Sequence, residues 1–418
     1  MKRVSVLALG VLALGSWMGS VTPEGIGVAS VQAQESLRPE IGKPLQAAQE
    51  LMKAQKYKEA LTKIREADAV GGKTAYENYI LDRMRGSAAS GAGETDLAAK
   101  SFEAVINSGK LPEAEHAKIM EAVAGTYYRA KEYGKAVAWA QRYFKSGGSS
   151  GSMRTLMMQA QYLNGDYAEA AKAINESVVA DEKAGRTPAE DQLQLLANCY
   201  LKVNDKTGYV NALEKLVVHH PKKEYWADLL ARIQRKPGFS DRLSLDVYRL
   251  MFATGNLREG GDFMEMAQLA LQAGLPAEAK KVVAEGFAKG VLGAGAEADR
   301  HKRLRDLANK QTDDDRKALA EDEKAAASAK DGEASVKVGY AFVTNGDLDK
   351  GIAMIEQGIA KGGLKRAEDA KLHLGMAYLQ SGNRAKAVQA LRSVTGTDGA
   401  ADLARLWIAH GGRQGYSV

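Results

Sequence analysis

"NGDYAEAAKAI" (residues 164–174) returns, little changed, as "NGDLDKGIAMI" (345–355) and "SGNRAKAVQAL" (381–391). Looser echoes stand at "AQKYKEALTKI" (54–64), "AKEYGKAVAWA" (130–140) and "AGLPAEAKKVV" (273–283). Each phrase carries an Ala at one offset: Ala60, Ala136, Ala170, Ala279 and Ala387, with Gly351 in the same slot and Ala98 added from "GETDLAAKSFEAV". The spacings run 38, 38, 34, 109, 72 and 36. The two long gaps therefore hold about three and two further units, and a repeat of this length is one supersecondary unit stacked on its neighbours.

The interior of the unit keeps the same beat. Twelve residues before the anchor stands Ala48, Gly86, Ala124, Met158, Ala267, Gly339 or Gly375; four after it stands Ile64, Phe102, Ile174, Val283, Ile355 or Leu391. Tyr57, Tyr133, Tyr167 or Leu348 lies three before, and Leu51, Tyr127, Phe342 or Tyr378 nine before. Slim positions let two antiparallel helices approach, and bulky ones fill the flanking holes. Phrases such as "NGD", "SGN" and "AGLP" end the first helix, Gly taking a positive φ, and Asp166 and Asp347 are placed to cap the second. Thr187 to Glu190 ("TPAE") reads as a further helix start, with Thr187 as the cap.

This pattern resembles the tetratricopeptide repeat, over most of residues 40–410. The resemblance implies an all-α, right-handed α-solenoid of about nine helical hairpins. The gaps supply candidate pairs: "DQLQLLANCYLKVNDKTGYVNALEKLV" (191–217), "EYWADLLARI" with "RLSLDVYRLMFA" around the breaker "KPGFS" (236–240), and "AEADRHKRLRDLANK" with "DDRKALAEDEKAAA". "AADLARLWIAH" (400–410) reads as a terminal capping helix. The expected organisation is a targeting segment over 1–33, repeats over 34–220, degenerate repeats over 221–330, and repeats plus the cap over 331–418.

Composition agrees with helix throughout. Of 418 residues 45% are hydrophobic and 26% charged, and only 8 are Pro, which suits a helical globular chain. The net charge of +6 is spread with both signs interspersed, so a nucleic-acid partner is not expected. Cys199, the one cysteine, sits in the apolar run "LQLLANCYL" and reads as core filling. "MKR", the apolar stretch 4–15 and the small-residue end "VASVQAQ" form a secretory signal with cleavage after Ala33, Ala29 being the alternative and an uncleaved anchor the rival. The expected location is the periplasm.

Chemistry is sparsely encoded. "VLGAGAEA" (291–298) matches G-x-G-x-x-A, but a helical pattern precedes it where a dinucleotide site needs a strand. It is expected to be a loop between repeats. None of the six histidines has metal-protease spacing, and no nucleophile elbow or phosphate loop appears. We expect no enzyme activity, no catalytic residue, no cofactor and no metal. The family resemblance implies that first helices of successive repeats line a groove for partner peptides. The groove offsets fall on Glu121, Tyr128, Arg129, Gln159, Tyr162, Asn198, Lys202 and Tyr340. The expected function is a scaffold or adaptor for a protein partner in the cell envelope, with the auxiliary protein of TonB-type energy transduction as one such use. A glycan, peptidoglycan or exopolysaccharide-export binding protein is the alternative.

Overall fold

The computed structural model describes residues 36–412; the expected signal segment lies outside them. Among the described residues there are twenty α-helices, one short 3-10 turn and no strand. Two compact units divide after Ala130.

The first unit holds α1 (Pro39–Lys53), α2 (Tyr57–Asp68), α3 (Ala75–Ala92), α4 (Thr95–Asn107) and α5 (Glu113–Arg129). Helices α1 and α2 pair, as do α3 and α4, and each pair packs on the next helix. Thr74 starts α3 with a full capping box: its hydroxyl accepts from the Glu77 N–H at 3.1 Å, and the Glu77 carboxylate accepts from the Thr74 N–H at 2.8 Å. Glu77 is buried and also receives the Arg38 guanidinium at 2.9 and 3.0 Å. That pair ties the segment ahead of α1 to α3.

The second unit begins with α6 (Tyr133–Lys145), α7 (Gly151–Asn164), α8 (Tyr167–Lys183), α9 (Glu190–Lys202) and α10 (Lys206–His219). It continues with α11 (Lys223–Gln234), α12 (Ser244–Ala253), α13 (Gly260–Gln272) and α14 (Pro276–Ala288). It ends with α15 (Ala298–Ser328), α16 (Glu333–Asn345), α17 (Leu348–Lys361), α18 (Ala367–Gln380), α19 (Arg384–Arg392) and α20 (Ala400–Gly411). Successive helices pack on one another throughout. The fold is an all-α solenoid of tandem hairpins, and the anchoring Ala60, Ala98, Ala136, Ala170, Ala279 and Ala387 are all buried.

The slim position is slim for a visible reason. A Cβ on Gly86 would lie 2.7 Å from the Phe102 ring, and one on Gly339 2.9 Å from Ile355. One on Gly375 would strike Leu391. In each case the neighbour is the bulky residue four after the anchor. Hairpin α16–α17 goes further: Gly339 faces Gly351 and Gly332 faces Gly358, backbone to backbone.

Three expectations need correction. The charged pair over 298–328 is one continuous helix of 31 residues, α15. No Gly or Pro interrupts that stretch, and His301, Leu304, Ala308, Thr312, Leu319 and Ala326 form one buried seam along it. Helix α9 starts at Glu190, not at Thr187. There His220 Nε2 lies 2.7 Å from the Pro188 carbonyl and Lys222 holds the Glu190 carboxylate at 2.6 Å, so the "TPA" stretch is held by α10's end. Asp166 and Asp347 occupy the cap positions of α8 and α17 but make no side-chain cap; Asp166 accepts from the Asn164 amide instead, at 2.8 Å.

Helix α20 does more than cap. It packs on α18 and α19 and also on α10 and α12, closing the second unit onto its own middle. One apolar cluster thus joins Leu213, Trp226, Leu230 and Leu243 to Leu372, Met376, Leu391, Leu403 and Trp407.

Candidate functional site

The residues expected to line a groove fall on four helices, α5, α7, α9 and α16. Glu121 and Tyr128 on α5 are half-buried, and Arg129 is exposed, its guanidinium donating to Thr126 Oγ1 at 3.0 Å. These three belong to the first unit and the other five to the second. On α7, Gln159 and Tyr162 are half-buried; on α9, Asn198 is half-buried and Lys202 exposed. Structure joins two of them through a third residue. Tyr162 meets Tyr167 edge-on, with centroids 5.3 Å apart, and the Lys202 ammonium stands 5.8 Å from the Tyr167 centroid. Burial raises the Tyr162 hydroxyl above its usual value, so it remains a neutral donor.

Tyr340 is only 4% exposed and presents no free face. It lies in an ionic joint of four helices. Arg249 of α12 donates to both Glu278 oxygens on α14, at 2.8 and 2.7 Å, and to Asp246 at 2.7 Å. His373 of α18 turns Nε2 to the same Asp246 oxygen at 2.8 Å and stacks on the Tyr340 ring at 4.6 Å. Burial works against the charge on Asp246, but His373 and Arg249 hold its carboxyl well below the usual range. Against the same burial, Glu278 and Asp246 hold Arg249 well above its usual value. The joint is saturated and positions α12, α14, α16 and α18.

A more open surface lies between α8 and α10, the second helices of their hairpins. Two adjoining hollows of about 430 and 410 Å³ share Asn175 and Tyr200. Ala168, Ala171 and Lys172 line one end with Val203; Glu182, Asn211, Lys215 and Val218 line the other. Val203 and Val218 are 42% and 48% exposed, and Leu201 beside them 47%. Most of the large apolar side chains left in water among the described residues are therefore on α9 and α10 or the turns beside them. Lys215 and His219 hold Glu182 at 2.6 and 3.0 Å, and despite partial burial they keep its carboxyl below the usual range. The repeat offsets did not single out this surface, because they rank first helices. The available signal was Leu201, Val203 and Val218 standing where a solvated face would be polar.

"VLGAGAEA" connects α14 to α15 and follows a helix. Its Gly293 N–H donates to His301 Nδ1 at 3.1 Å, and no strand precedes it. Burial pushes the Cys199 thiol up to about 12, which makes it an inert core group.

Comparison with known proteins agrees with this architecture. A family model described as tetratricopeptide repeat matches residues 83–150 and 337–402. No curated protein matches the chain. Among solved structures, the chain is similar to the TPR2AB domain of yeast Sti1 in its complex with pHSP90, at 13% identity and TM-score 0.24, covering 71% of this chain and 99% of that one. It is similar to the C-terminal part of a TPR repeat-containing protein from Cytophaga hutchinsonii, at 14% identity and TM-score 0.31, covering 78% and 98%. The apo form of RapI aligns at 11% identity and TM-score 0.27, covering 66% and 98%. The chain thus carries tetratricopeptide repeats over residues 83–150 and 337–402, within an all-α array of stacked hairpins.

Proposed function

We propose that the chain is an exported, non-catalytic scaffold that holds protein partners in the bacterial cell envelope. The observation that carries the scaffold role is the array itself: tandem hairpins that leave Val203 and Val218 in water at two open hollows, with Leu201 exposed at the end of α9. Exposed apolar side chains rimmed by polar ones mark protein contact surfaces. The export step rests on the basic start, apolar stretch and small-residue end of residues 1–33. A TonB-type energy-transduction complex is the envelope assembly to test first.

The test is photo-crosslinking in intact cells from Val203 and Val218, with Leu307 of α15 as the control. One protein captured from the first two sites and not from the third is expected. Capture of nothing, or the same set from all three, sinks the scaffold reading. Sedimentation with purified peptidoglycan in place of protein capture replaces it with the glycan alternative. Sequencing the mature N-terminus tests export separately, with Gln34 as the expected first residue.

A further inference from the structure

We propose that the slot bounded by α10 and α12 on one side and by α18 and α19 on the other is a docking surface for an amphipathic helix, and that α20 is its resident occupant, held in cis. The partner this surface fits is therefore a helix rather than an extended peptide. The proposal does not depend on the envelope reading.

The contact has the anatomy of helix-in-groove recognition. Leu403, Leu406 and Trp407 stand at i, i+3 and i+4 on α20, and all are buried in the cluster that holds Trp226, Leu230 and Leu243 on one side and Leu372, Met376 and Leu391 on the other. Ion pairs flank this stripe. Arg405 reaches Glu214 of α10 at 3.1 Å, and Lys236, just past α11, reaches Asp402 at 2.8 Å. Asp402 sits in the first turn of α20, where a carboxylate also suits the helix dipole. The entry is fixed as well: Ser240 donates its N–H to the Asp398 carbonyl at 2.9 Å, and Arg242 binds the Asp398 carboxylate at 2.8 Å. Gly399 is needed there, with φ +106, because a Cβ would strike the Phe239 ring.

These contacts reach 191 residues along the chain, from Glu214 to Arg405. The link before the helix, Thr395 to Thr397, is exposed. Nothing in the recognition requires the helix to be covalently attached. A helix from another protein with an acid in its first turn, the same Leu, Leu and Trp spacing and an Arg between them meets the same groups.

The test uses the whole chain with a specific protease site inserted between Gly396 and Thr397, cut after folding. A second version also carries Trp407→Ala, which weakens the resident helix so that its release does not limit exchange. Fluorescent peptide 398–412 is added, and binding is read by anisotropy. The cut chains are expected to take up the peptide saturably, the Trp407→Ala chain faster, and the uncut chain at least tenfold more weakly. A Leu406→Asp peptide is expected not to bind. The proposal is overturned if neither cut chain takes up the peptide, if the Leu406→Asp peptide binds equally, or if the uncut chain binds as well as the cut ones.

Discussion

The glycines of α16 and α17 show how one atom sets helix spacing. A Cβ at Gly351 would lie 2.5 Å from the Gly339 carbonyl and 2.7 Å from Val343. Helix propensity alone favours Ala over Gly by about 1 kcal/mol. Gly351→Ala is nevertheless expected to destabilise by about 1–3 kcal/mol through overpacking, and a raised melting temperature would refute the contact. Three other hairpins, within residues 34–220, make the opposite compromise. Where good copies end the first helix with Gly165, Gly346 or Gly382, the poorer ones place Gln55, Lys131 and Asn204 at positive φ. Left-handed backbone costs a residue with a Cβ about 1–2 kcal/mol, partly offset by the entropy a Gly would lose. Gln55→Gly should therefore raise stability by up to about 1 kcal/mol in a denaturant titration. At Glu77, the Arg38 side chain and the Thr74 N–H lower the carboxyl from 4.5 to about 2. A depressed acid contributes stability above its unfolded value and loses it as pH falls through its folded value. The stability gap between the native chain and Glu77→Gln should be constant above about pH 5 and close between 4.5 and about 2; a gap unchanged at pH 3 would exclude the ion pair as its source.

Helix boundaries followed local chemistry where a breaker was present and tertiary contact where it was not. Gly165, Gly274, Gly346 and Gly382 end first helices as their phrases predict. Residues 298–328 contain no such signal, and the buried seam carries the helix straight through. The joint around Arg249 links elements that the repeat beat places in separate hairpins. Arg249→Leu leaves Asp246 and Glu278 buried without their cation, and should cost about 3–5 kcal/mol. Adding Asp246→Asn should recover part of that loss; a second loss as large as the first would mean the two residues act independently.

Within the second unit, closure by α20 couples hairpins that a simple array would keep independent. Leu403→Ala should destabilise by about 2–5 kcal/mol. Hydrogen exchange should then quicken in α10–α12 as well as in α18 and α19, while residues 36–130 keep their protection. Faster exchange confined to α18–α20 would show that the closure carries no coupling.

Helix content, the repeat beat, the slim offsets and the left-handed helix ends were all written locally, because each depends on residues within one hairpin. The apolar residues on α9 and α10 were visible as misplaced side chains but had no assigned meaning until α8 and α10 were seen to flank a hollow. The burial of Tyr340, the unbroken α15 and the return of α20 onto α10 and α12 could not be read from the chain. The first and last arise from contacts between distant hairpins, as with Asp246 and His373 or Glu214 and Arg405, and the second from the packing of α15 on α14 and α16; a periodic pattern specifies its nearest neighbours but not where the far end of the array comes to rest.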